Sequence, residues 1–235
     1  MDLKIRKTQQ QFLKVFSKAA QNFALAGGTA LELYYLHHRF SLDLDLFSTG
    51  YDVRKINKII TRISGSLGVK IRLQSEFAAK NRAKERFYTL PVKNSARPLK
   101  IDFIEDVIFN KPKISRFSGV PVYSVENIYW QKVVAMAGAV SGQDEIGMQI
   151  AKGRMEARDA FDIFVLSKKI QPLHLLLKSL PSILQRGMVH WYRTFSRQDM
   201  KLALLDLDIY DRGFDAKEMI VYLENEIKEF IKQIL

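Results

Sequence analysis

The chain has 235 residues, enough for one large domain or two small ones with a sizeable core. Hydrophobic residues make up 47% and charged residues 26%, the balance of a soluble globular protein, and no apolar run of about 18 residues marks a membrane span. With no cysteine there is no disulfide framework, thiolate zinc site or cysteine nucleophile, and a net charge of +12 favours a polyanionic partner, RNA or DNA first.

The N-terminus, Met1-Asp2-Leu3-Lys4-Ile5-Arg6-Lys7, lacks the apolar stretch of a secretory signal, so a cytoplasmic location is expected. Residues 8–21 read as an amphipathic helix with Phe12, Leu13, Phe16, Ala19 and Ala20 on one stripe. Phe23 to Ala26 is a short buried strand that ends at Gly27-Gly28, and Thr29 is placed to cap a helix through Tyr35. A strand over Phe40 to Phe47 follows. Asp52 caps the next predicted helix, which carries Ile56, Ile59, Ile60 and Ile63 and stops at Gly65 or Gly68. Val69 to Gln74, Phe87 to Val92 and Leu99 to Ile104 read as strands, with a basic stretch from Lys80 to Arg86 between the first two. The first half is therefore α+β, with a mixed or antiparallel sheet of about five strands.

After Val122 the pattern becomes helical: Ser124 to Ala139, Gly153 or Arg154 to Ser167, pieces punctuated by Pro172 and Pro181, and a last helix opened by Asp215 and Glu218. The segment Ser141 to Gly147 reads as a flexible loop. We expect a catalytic α+β domain over residues 1–122 and a C-terminal helical bundle over 123–235.

The informative stretch is Ala26-Gly27-Gly28-Thr29-Ala30-Leu31 with His38-Arg39-Phe40-Ser41-Leu42-Asp43-Leu44-Asp45-Leu46-Phe47. In an extended segment Phe40, Leu42, Leu44 and Leu46 share one face and Ser41, Asp43 and Asp45 the other. The two aspartate Cα atoms then stand about 7 Å apart, close enough for both carboxylates to reach one Mg²⁺ or Mn²⁺. Gly27-Gly28 is either an ordinary strand-to-helix turn or a cradle where backbone N–H groups meet a triphosphate. Asp102, on Leu99 to Ile104, is a candidate third carboxylate; Glu105 and Asp106 read as solvated at the strand end. Lys132, beside Val133 and Val134, either snorkels to the surface or holds phosphates. Phe77, Phe87 and Tyr88 could stack bases but read as strand core. His37 and His38 cannot both face one ion and read as structural.

The string GGTAL followed by HRFSLDLDLFS resembles the AbiEii/AbiGii-type nucleotidyltransferase toxins, the family that includes the MenT toxins, within the DNA polymerase β-like superfamily. The resemblance implies a metal-dependent nucleotidyltransferase, the toxin of a toxin–antitoxin pair with a cognate antitoxin. Such an enzyme transfers NMP from an NTP to an RNA acceptor, the tRNA 3′ end among them, and releases pyrophosphate. It implies catalytic roles for Asp43, Asp45, Asp102, Lys132 and Asp159, with Asp43, Asp45 and Asp102 as metal ligands. Gly27, Gly28, Thr29, Arg39, Ser41 and Lys132 would bind the nucleotide. Asp159 comes from Arg158-Asp159-Ala160-Phe161-Asp162, which resembles the family's Arg-Asp-x-x-Asp helix, with Arg158 in support. The spacing from Lys132 to Asp159 is longer than the family pattern, with the Gln143 loop as the insertion. Two other readings stay open: nucleotide transfer to a protein hydroxyl, and a non-catalytic module that binds nucleic acid or antitoxin.

Overall fold

The computed structural model describes residues 2–79, 83–138, 141–143, 149–151 and 153–234. They divide into two compact units, Met1–Ile128 and Tyr129–Leu235. The division falls inside a helix rather than at the change of sequence character after Val122.

The first unit is built on a seven-stranded mixed sheet in the order β3-β4-β5-β2-β1-β7-β6. Helix α1 (Leu3–Phe16) opens it earlier than the apolar stripe predicts, because the Asp2 carboxylate accepts from the N–H groups of Lys4 and Ile5 and caps the first turn. Strand β1 (Ala24–Ala26) is fully buried and leads directly into α2 (Gly27–Ala30), which continues as a π-helical segment, Leu31–Leu36. Strand β2 (Leu44–Ser48) lies antiparallel to β1 and parallel to β5 (Leu99–Glu105), so it occupies the middle of the sheet. Helix α3 (Val53–Leu67) is capped by Asp52 as expected, runs through Gly65, and ends at Gly68 in the left-handed conformation.

Strands β3 (Arg72–Phe77) and β4 (Glu85–Leu90) extend the sheet on one side. On the other side a hairpin, β6 (Ile114–Phe117) and β7 (Val120–Tyr123), adds two strands beyond the five expected. Its strands have four residues each, too short for alternation to stand out, and it turns at Ser118 and Gly119, both with positive φ. Leu25, Leu44, Leu46, Ile101 and Phe103 form the sheet's share of the core, with Ile56, Ile59 and Ile63 of α3 equally buried.

The second unit takes the greater part of α4 (Val125–Ala137) and contains α5 (Ala157–Lys169), α6 (Leu173–Ser179), α7 (Ser182–Thr194), α8 (Arg197–Leu205) and α9 (Ala216–Ile234). It is not purely helical. Strands β8 (Ser141–Gln143) and β9 (Gln149–Ala151) pair within the stretch read as a flexible loop, whose residues 144–147 lie outside the described ones. Ala139 and Lys80 to Arg82 of the basic stretch lie outside them too. Met219, Ile220, Leu223, Ile227 and Phe230 give α9 its buried stripe. Among the described residues no helix is long and apolar enough to cross a membrane.

Candidate active site

Sheet register brings the acidic residues together. Asp45 is the neighbour of Ala26 on β1 and of Asp102 on β5, so its carboxylate lies between the glycine turn and a second acid. Paired residues on adjacent strands share a face. Asp43 precedes β2, but the alternation of half-buried Asp43, Asp45 and Phe47 with buried Leu44, Leu46 and Ser48 puts it on the same side. The Asp102 carboxyl is pushed up to about 7, first by burial and then by the negative charges of Asp45, Glu85 and Asp43, with Lys100 opposing. Acidic groups are thus concentrated on one patch of the sheet.

The predicted strand from Phe40 is shortened to begin at Leu44, and Leu42 is 38% exposed instead of sharing the buried face. Polar groups hold the preceding segment. Fully buried Gln9 donates its amide to the carbonyls of Ser41 (3.0 Å) and Leu42 (3.1 Å). Buried Glu32 accepts from the Ser41 N–H at 2.8 Å and pairs with Arg6, which also donates to Gln9 at 2.8 Å. The Thr29 hydroxyl donates to the Asp43 carbonyl, so Thr29 sits inside α2 as a backbone anchor and not at its N-cap. Gln9, Glu32 and Arg6 were not singled out in the sequence. The available signal was Glu32 itself, an acid between Leu31 and Leu33 on an apolar helix.

The glycine pair is explained by close approach of side chains. Gly27 has φ 67°, and a Cβ there would overlap Asp45 Oδ2, with Cγ only 2.9 Å away. A Cβ on Gly28 would stand 2.7 Å from Arg39 Nη2 and 2.8 Å from Ser41 Oγ. Arg39 is buried and also donates to the Phe40 carbonyl at 3.3 Å. The bare Cα faces therefore receive the Asp45 carboxylate, the Arg39 guanidinium and the Ser41 hydroxyl, so Gly27, Gly28, Arg39, Ser41 and Asp45 cluster at one turn. His37 closes the π-helical segment with φ 47°, and His38 is buried beside it.

Asp106 is not solvated. It is buried, accepts from the N–H groups of Ile108 (2.8 Å) and Phe109 (3.1 Å), and receives the Tyr123 hydroxyl at 2.7 Å. Glu105 pairs with Lys84 at 3.0 Å. These partners take both rivals of Asp102 away from the acidic patch. Tyr88 is core, whereas Phe87 is half-buried and Phe77 exposed, so neither phenylalanine is the core residue expected.

In the second unit Lys132 neither snorkels nor reaches open solvent. It is buried between Asp159 Oδ1 (2.6 Å) and Asp162 Oδ2 (2.8 Å). Asp162 is wholly buried. Arg158 points its Nε to Glu156 at 3.9 Å, and it is Arg154 that stands 3.7 Å from Asp159 Oδ2. The spacing of Asp159 and Asp162 on one helix face made this second carboxylate legible.

The family described as Nucleotidyl transferase AbiEii toxin, Type IV TA system, matches residues 11–232. The chain belongs to the AbiEii nucleotidyltransferase toxin family. Its fold is that of two Helicobacter pylori crystal structures, each 18% identical in sequence. One, titled as a candidate nucleotidyltransferase, has a TM-score of 0.58 over 98% of this chain and 95% of its own. The other, JHP933, has a TM-score of 0.56 over 98% and 92%. Comparison with curated protein sequences gives no match. Membership makes the protein a nucleotidyltransferase of a toxin–antitoxin type.

Members of this superfamily generally use a divalent metal. Among the described residues no three acidic or imidazole side chains stand ready-made around one ion. The donor set nevertheless fits Mg²⁺, which binds through one or two carboxylates and takes its remaining oxygens from water and substrate phosphates. Adjacent Asp45 and Asp102, with Asp43 on the same side, supply such carboxylates, and burial together with the neighbouring acids raises the Asp102 carboxyl.

Proposed function

We propose that this AbiEii-family enzyme works in the cytoplasm, transferring NMP from an NTP to a hydroxyl at an RNA end, with the tRNA 3′ terminus as the leading acceptor. The observation that carries the reading is the pairing of Asp45 with Asp102 on adjacent central strands, directly against the Gly27 turn. Asp43, Asp45 and Asp102 would hold Mg²⁺ or Mn²⁺, which when bound neutralises phosphate charge and polarises the α-phosphorus. Arg39 and the Ser41 hydroxyl, set on Gly28, orient the nucleotide beside the acidic patch, with Thr29 fixing the backbone of Asp43. The acceptor oxygen bonds to the α-phosphorus while the bond from that phosphorus to the β-phosphate oxygen breaks. Pyrophosphate leaves, and the hydroxyl proton passes to the Asp102 carboxylate. The net charge of +12 supports a nucleic-acid acceptor over a neutral one. A cognate antitoxin is the expected protein partner. Lys132 and Asp159 are assigned to nucleotide handling on the family resemblance.

The test is incubation with total RNA and each α-labelled NTP, with Mg²⁺ or Mn²⁺ and with chelator. Label should enter RNA with equimolar pyrophosphate, only with the metal, and Asp43→Ala and Asp45→Ala should abolish it while folding normally. Label that enters protein alone would replace RNA with a protein acceptor. Full activity in Asp43→Ala would refute the metal role.

A further inference from the structure

Beside the acidic patch the sheet has a second surface that faces away from the core. On the core side β5 and β4 present Leu99, Ile101 and Phe103 with Tyr88 and Leu90, all buried. The opposite side is open, and register fixes its order. Asp102 pairs with Phe87, which pairs with Ser75; Lys100 pairs with Thr89, which pairs with Arg72. Phe87 and Thr89 are half-buried, while Lys100, Arg72 and Ser75 are exposed. At a strand spacing of about 4.8 Å, the Phe87 ring is the immediate lateral neighbour of the Asp102 carboxylate, and Lys100 follows about 7 Å along β5.

A half-buried aromatic ring in mid-sheet, on the face opposite the core, costs apolar exposure and contributes less to the core than its buried neighbour Tyr88. A half-exposed ring with cations in the neighbouring row is how sheet proteins receive unstacked bases. The charge on this face is also ordered. Glu85 lies on the far side of Phe87, paired with Ile104, while Lys100 and Arg72 form the row on the near side. A polyanion is repelled from one edge and drawn along the other, which gives it a direction past Asp102.

We propose that this face of β5, β4 and β3 seats the single-stranded 3′ end of the RNA acceptor, with one base stacked on Phe87 and the adjoining phosphates on Lys100 and Arg72. The inference rests on the RNA-acceptor reading above and adds the track along which the end reaches Asp102. It commits to single strands because base stacking on Phe87 requires an unpaired base, and an intact duplex presents none at its flank.

The experiment measures KM separately for a short single-stranded RNA with a free 3′ hydroxyl and for NTP, together with RNA binding by fluorescence anisotropy at several salt concentrations. Phe87→Ala should raise KM for RNA about tenfold, within the range of one lost base–aromatic stack, and leave KM for NTP unchanged. Phe87→Trp should retain binding. Lys100→Ala and Arg72→Ala should each lower the slope of log affinity against log salt by about 0.7, the contribution of one phosphate contact on a single strand. Thermal melting confirms that each variant is folded. If wild type labels no RNA, the acceptor reading fails and this inference falls with it. If wild type labels RNA but all three alanine variants keep its KM and salt slope, only the track is overturned. Equal affinity for blunt duplex, or variants that lose antitoxin binding and not RNA binding, overturns it in favour of another occupant.

Discussion

Replacing Gly27 by alanine tests the geometry on which the site depends. Gly27 has φ 67°, a left-handed conformation that costs an L-residue about 1–2 kcal/mol. The new Cβ would also overlap Asp45 Oδ2 and sit 2.9 Å from Asp45 Cγ, so the carboxylate must move or the turn must open. Overpacking of this kind typically costs about 1–3 kcal/mol, giving a total of about 2–5 kcal/mol. Urea unfolding of Gly27→Ala, Asp45→Ala and the double variant separates the two parts. Truncating Asp45 removes the two closest atoms and leaves its Cβ at 3.2 Å, so the double variant should retain the backbone cost with a small residual contact, and the cycle should show a coupling of about 1–3 kcal/mol. Nucleotide transfer should be lost in Gly27→Ala even under conditions where it remains folded, because Asp45 is displaced. Costs that add within about 0.5 kcal/mol, the behaviour of independent sites, would refute the close approach of Asp45 to the turn. Gly28→Ala is the internal comparison. Its backbone is unstrained and its nearest atoms are the ends of the Arg39 and Ser41 side chains, so it should destabilise less while still disturbing nucleotide affinity.

Lys132→Met removes the ammonium between Asp159 and Asp162 and leaves two buried carboxylates facing each other, so it should destabilise by about 3–5 kcal/mol in denaturant melts. Measuring NTP affinity in a stabilising osmolyte then separates that cost from any role in nucleotide handling. Glu32→Ala strips the Ser41 N–H and Arg6 of their carboxylate and should lower the urea midpoint, whereas Glu32→Gln, which still offers an oxygen to Ser41, should recover part of the loss. Tyr123→Phe deletes the hydroxyl bond to Asp106 and should cost about 1.5–3 kcal/mol by thermal or urea unfolding. The Tyr51 hydroxyl is pushed up to about 12, chiefly by burial. Its folded value lies above the unfolded one, so its contribution is complete below pH 10 and is lost as pH rises toward 12. Tyr51→Phe should flatten that alkaline limb of a stability profile.

Much of the first unit could be read in advance because its signals are local. The glycine pair, the spacing of Asp43 and Asp45, the Asp52 cap and the alternation in Leu99 to Ile104 each depend on a few neighbouring residues. Asp102 was legible for the same reason: it interrupts an apolar strand. What escaped depends on partners remote in sequence. Asp106 looks like a strand-end acid until Tyr123 folds onto it, and Gln9 looks like one of three glutamines on a helix until Ser41 and Leu42 offer their carbonyls. The short strands of the β6–β7 hairpin carried too little alternation to register. Leu42 obeyed alternation in sequence but lies ahead of β2, where the chain is held by side chains and not by a ladder.

The two halves of the acidic motif are therefore fixed by different forces. Asp45 is placed by backbone ladders on both sides, β1 toward the glycine turn and β5 toward Asp102, so its position is as rigid as the sheet centre. Asp43 and Ser41 lie just before that ladder begins. Their backbone is held by Thr29, Gln9 and Glu32, buried polar groups whose bonds are satisfied only in this arrangement. Burying Gln9 and Glu32, with Arg6 half-buried beside them, gives up hydration that apolar residues would not need, which a stability argument alone does not favour. The arrangement makes sense if it orders a segment that must keep Ser41 on Gly28 and Asp43 beside Asp45 without strand pairing to do so. It follows that changes at Gln9 or Glu32 should disturb nucleotide use more than their distance from the carboxylates suggests, while leaving the Asp45–Asp102 pair in register.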